Sequence, residues 1–73
     1  MIWNIYATFE AWYHGQFHRF FLIDSIEAMT REDAIKLAYD VLMIEAKEFF
    51  NTKTITYGEL NTEYCYAIEK VDY

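Results

Sequence analysis

The sequence predicts an α+β fold: a single small domain over residues 1–73, in the order ββαββ, with one helix packed on one face of an antiparallel sheet. Three observations predict it. Apolar and polar residues alternate with a period of two at the N-terminal end, a threonine followed by acids opens an amphipathic stretch in the middle, and aromatic and β-branched residues return in the last third.

The first strand is expected over Ile2–Trp12, where Trp3, Ile5, Ala7, Phe9 and Ala11 alternate with Asn4, Tyr6, Thr8, Glu10 and Trp12. His14-Gly15 follows. Gly15 takes a positive φ without steric cost, and His tolerates one better than most residues, so these two form the expected loop of a tight hairpin between Tyr13 and Gln16. The second strand then runs over Phe17–Asp24. Its register sets Glu10 opposite Arg19, Phe9 opposite Phe20, Ala7 opposite Leu22 and Trp12 opposite Phe17. The opposed charges favour this register, and a one-residue slip would turn every side chain of the second strand to the other face.

After a connection over Asp24–Met29, Thr30 is the expected N-cap of a helix over Arg31–Phe50, with Glu32 and Asp33 in the first turn where the helix dipole favours acids. At about 100° per residue, Asp33, Lys36, Asp40 and Lys47 fall on one narrow side. Ala34, Ile35, Leu37, Ala38, Val41, Leu42, Ala46 and Phe49 spread over a broad arc, and Glu45 falls inside it, so the final turn frays, bends or meets something polar, the usual explanation being exposure at the helix end. The last third reads as two strands, Thr54–Tyr57 and Tyr64–Val71, joined through Gly58–Thr62.

One helix covers one sheet face. The face with Ile5, Ala7, Phe9, Ala11, Phe20 and Leu22 is the expected core. The other carries Tyr6, Trp12, Phe17, Phe21 and Ile23 beside Asn4, Thr8, Glu10 and Arg19, with Tyr64, Tyr66 and Ile68 extending it. That is more aromatic surface than a solvated face needs, and Tyr and Trp are enriched where proteins bind one another. The competing reading is that a small domain uses aromatics to enlarge its core, with a twisted sheet partly burying both faces.

Composition bounds the function. A chain of 73 residues buries only about 60% of its unfolded surface, and one cysteine, Cys65, cannot close an internal disulfide. Stability must come from packing, completed or not by a partner. Twelve acids against six bases give a net charge of −6, which repels phosphates and anionic lipid, so direct nucleic-acid or membrane binding is disfavoured. The acidity either suits a basic surface on a partner or keeps an aromatic-rich chain soluble. No apolar run reaches membrane-span length, and the N-terminal residues lack the pattern of a signal peptide, so the chain is expected in the cytoplasm. His14, His18 and Cys65 match no metal or nucleophile spacing, and Glu45 and Glu48 share a helix face without a glycine-rich loop or pocket motif. No cofactor, no metal and no enzymatic activity are expected.

The pieces Ala7-Thr8-Phe9-Glu10, Thr30-Arg31-Glu32-Asp33-Ala34-Ile35-Lys36-Leu37-Ala38 and Ala67-Ile68-Glu69-Lys70-Val71 resemble small acidic phage-encoded inhibitors of host proteins, of the type that phage T7 directs at bacterial RNA polymerase. Anti-CRISPR and anti-restriction proteins share the profile. The chain departs from that inhibitor in its aromatic helix end, Glu48-Phe49-Phe50, and in an additional strand. The resemblance implies a compact protein that occupies a surface of a host factor handling nucleic acid, such as a CRISPR effector, a nuclease or a polymerase. The expected contacts are Tyr6, Glu10, Trp12, Phe17, Arg19 and Phe21 on the sheet, with Asp33, Asp40, Glu45 and Glu48 as acidic contributors from the helix. The alternative is a homodimeric structural or assembly protein that self-associates through the aromatic face.

Overall fold

Two positive φ angles, 47° at His14 and 81° at Gly15, turn the chain back between two twelve-residue strands, β1 (Ile2–Tyr13) and β2 (Gln16–Glu27). This is the backbone of a type I′ turn, whose twist matches that of the strands it joins. The register is the expected one along the whole ladder, from Tyr13↔Gln16 through Glu10↔Arg19 and Ala7↔Leu22 to Ile2↔Glu27. β2 runs on past Asp24 because Ile26 still packs against the core, and because the Ala28 N–H donates to the Met1 carbonyl at 3.0 Å. The Trp3 indole N–H then donates to the Ala28 carbonyl at 3.2 Å and holds the exit of the strand. The computed structural model describes residues 1–67.

Thr30, in extended backbone, caps the helix α1 (Arg31–Phe49): its Oγ1 accepts from the Asp33 N–H at 3.1 Å. At the other end Asn51 sits in the left-handed region at φ 52°. Its N–H donates to the Glu48 carbonyl at 3.1 Å and that of Thr52 to the Lys47 carbonyl at 3.0 Å, which is a Schellman closure. The helix therefore ends cleanly. Glu45 faces solvent, the usual explanation of an acid on this arc near a helix end. The buried stripe is narrower than the expected arc and consists of Ala34, Ala38, Leu42 and Ala46 alone, because a helix meets a sheet along a line. Leu37, Val41 and Ile44 stand exposed beside it.

The last third keeps the antiparallel direction but distributes its residues differently. Thr54, Ile55 and Thr56 are irregular, and Gly58–Thr62, expected as a connection, lies within one strand, β3 (Tyr57–Ala67), that pairs with β1. The expected strand start at Tyr64 is a β-bulge: Tyr6 pairs with Tyr64 and Ala7 with Thr62, so Glu63 is the extra backbone residue. The side chain of Tyr66, and Ile68–Val71 at the end of the expected last strand, lie outside the described residues. Among the described residues the sheet has three strands in the order β2-β1-β3, with α1 across one face.

The core comprises Ile5, Ala7, Phe9, Ala11 and Phe20 from the sheet and Ala34, Ala38, Leu42 and Ala46 from the helix. Five of these nine are alanine. Small residues on both elements let the helix approach the sheet closely, and Phe9 and Leu42 are the largest side chains it seals completely. Around the hairpin end the helix terminus adds Phe49 and Phe50. Phe49 stacks on His18 at 4.2 Å and meets Phe20 edge-on at 5.4 Å, while Phe50 lies 5.8 Å from Tyr13. Cys65, opposite Ile5, packs partly buried against the core as a small hydrophobe.

Candidate protein-binding surface

Strand alternation and the two ladders assign the face turned away from α1. Rows across it read Phe17–Trp12–Tyr57, Arg19–Glu10–Glu59, Phe21–Thr8–Asn61 and Ile23–Tyr6–Tyr64. Trp12 sits on the central strand between Phe17 and Tyr57, at ring distances of 5.0 and 5.1 Å, and Tyr6 meets Tyr64 edge-on at 6.3 Å. Thr8, between Phe21 and Asn61 in the middle of the face, is buried, while the large groups on the flanking strands are not. Ile23 is 76% accessible, Tyr64 63% and Phe21 55%, with Phe17 and Tyr57 similar. The sheet thus buries part of its outer face, as the competing reading expected: Trp12 and Tyr6 on the central strand are half-buried, while the apolar groups on the flanking strands stay in water.

The polar groups on this face are largely occupied with one another. Arg19 donates from Nε (3.1 Å) and a terminal nitrogen to the Glu10 carboxylate, an ion pair within the middle row. At the far end the Ser25 hydroxyl donates to Asn4 Oδ1 at 2.8 Å, in the lining of an open groove of about 680 Å³ that Tyr6, Ile23 and Tyr64 also line. Such a face offers rigid contact area flanked by satisfied polar groups. That is the chemistry of docking.

The structure brings Tyr6, Glu10, Trp12, Phe17, Arg19 and Phe21 together on this face. It does not bring the helix acids to it. Asp33, Asp40, Glu45 and Glu48 are exposed on α1, on the other side of the sheet, so one flat partner surface cannot touch both sets. Glu59 and Asn61 were missed as members because Gly58–Thr62 read as a connection, and Tyr57 because the strand expected to end there had no assigned neighbour; its place beside Trp12 follows from the pairing of β3 with β1.

Elsewhere, His14 lies in the turn, His18 in the aromatic stack and Cys65 against the core. Among the described residues no group of three or more His, Cys, Asp and Glu side chains is placed to hold a metal, and no helix is long and apolar enough to cross a membrane. No family model matches the chain, and comparison with curated proteins and with solved structures finds no match.

Proposed function

We propose that this chain is a small acidic protein-binding module that docks through its open sheet face and acts by occupying a partner's surface. One observation carries the reading: the helix covers one sheet face, and the other still holds large apolar side chains in water. Phe17, Phe21, Ile23, Tyr57 and Tyr64 stand exposed there around a half-buried Trp12. Apolar side chains left in water contribute nothing to the fold, and gain about 25 cal/mol per Å² once a partner dries them. The net charge of −6 favours a basic partner, including one whose surface otherwise holds nucleic acid, so that occupancy inhibits it. The helix acids contribute to this at a distance, by steering, and the contact itself belongs to the sheet.

The test is affinity capture from a lysate of the native host with wild type and a Trp12→Ala/Phe21→Ala variant in parallel. A protein retained by wild type and lost with the variant supports the reading. Identical retention by both overturns it.

A further inference from the structure

The outer edge of β2 has the features of a pairing edge left open. Hydrogen bonding alternates along an antiparallel ladder. The Ala28 N–H bonds to the Met1 carbonyl, so even-numbered residues of β2 direct their backbone groups at β1 and odd-numbered ones direct theirs outward. The outward groups of Phe17, Arg19, Phe21 and Ile23 meet no other strand among the described residues. Ser25 ends the run, because its N–H is already taken by Asp24 Oδ1 at 2.7 Å. Proteins normally protect such an edge with proline, charged side chains (lysine above all), a bulge, brevity or a covering element. β2 is twelve residues long, pairs with β1 without a bulge and contains neither proline nor lysine; the one charge among its four open residues, Arg19, is held across the face by Glu10. The opposite edge is treated differently: β3 carries the bulge at Glu63, and Arg31 Nε donates to its Cys65 carbonyl at 3.3 Å.

We infer that β2 pairs antiparallel with β2 of a second copy of this chain, joining two sheets edge to edge about a two-fold axis at Phe20. This inference stands on the strand edge and does not depend on the docking function proposed above. The four open residues are self-complementary in one register, which sets Phe17 against Ile23 of the second copy and Arg19 against its Phe21. Every open N–H then has a carbonyl opposite. Both sheets present their uncovered face on the same side, because residues opposed in an antiparallel pair share a face. The register also joins the apolar rows: Tyr57–Trp12–Phe17 of one copy continues into Ile23–Tyr6–Tyr64 of the other. The Arg19 guanidinium, already held by Glu10, comes beside the Phe21 ring of the second copy, a cation–π arrangement. A slip by two residues leaves an outward amide unpaired or calls on the occupied N–H of Ser25.

The experiment is performed on the chain alone. Sedimentation equilibrium gives the mass in solution, and residue-resolved amide hydrogen exchange reads the edge. The expected result is a species of twice the 8.8 kDa chain mass, in which the amides of Phe17, Arg19, Phe21 and Ile23 exchange at least about tenfold more slowly than when diluted to monomer. Phe21→Lys sets a lysine against Arg19 of the second copy and should yield a monomer with an unchanged circular dichroism spectrum. Phe21→Glu sets a carboxylate there and should keep the dimer. A wild type that is monomeric throughout the micromolar-to-millimolar range overturns the inference. So does a dimer whose four edge amides exchange as fast as in the monomer.

Discussion

The ring of Phe9 lies directly over Gly58 on the neighbouring strand. A Cβ added at Gly58 would stand 2.9 Å from Phe9 Cε2 and closer still to Cζ. The glycine is therefore present for a close approach within a strand, and the seating of the largest sealed aromatic depends on it. Gly58→Ala should destabilise by about 1–3 kcal/mol through overpacking. Thermal unfolding followed by circular dichroism checks it, with the midpoint falling by about 4–8 °C per kcal/mol.

The two positive-φ side chains predict shifts of opposite sign. His14 occupies a type I′ position that asparagine fills better, so His14→Asn should stabilise by about 0.5–1 kcal/mol. Asn51 already holds the left-handed position of the Schellman closure with a tolerant residue, so Asn51→Ala should cost about 1 kcal/mol. Denaturant midpoints at constant slope measure both.

The Glu10–Arg19 pair reports the hairpin register more than it enforces it. The Arg19 side chain is half exposed, and the register is also held by the turn and by burial of Phe9, Phe20 and Ala7 on the other face. A double-mutant cycle with Glu10→Ala and Arg19→Ala should give a coupling below about 1 kcal/mol.

These relations show where sequence pattern sufficed. In β1 and β2 a strict period of two, a turn dipeptide and one charge pair all specify the same register, and the structure has it at every pair. The helix start was legible in Thr30 and the acids after it, for local chemical reasons. The broad apolar arc of α1 misled, because periodicity shows which residues share a side and only packing shows how many of them a sheet can touch. Gly58 misled more. A glycine between two β-rich segments usually marks a turn, and nothing local distinguishes it from one that makes room for Phe9, which is distant in sequence. Six residues of the candidate site followed from the hairpin alone. Tyr57 and Glu59 required knowing that β3 lies beside β1.

If the open face is spare rather than structural, its residues can be changed without loss of the fold. Phe21→Ala and Ile23→Ser should each shift stability by no more than about 0.5 kcal/mol, the range for exposed positions. Leu42→Ala, sealed between helix and sheet, should cost about 2–5 kcal/mol. Urea unfolding of the three variants tests the contrast.

Covalent footprinting of the chain, free and bound to the partner found by capture, tests the central claim most directly, because labelling reads the accessibility of individual side chains. Tyr6, Phe17, Phe21, Ile23, Tyr57 and Tyr64 should become shielded in the complex, while Leu37, Val41 and Ile44 on α1 are labelled as before. Shielding of Leu37, Val41 and Ile44, with the sheet face labelled as in the free chain, would overturn the docking reading.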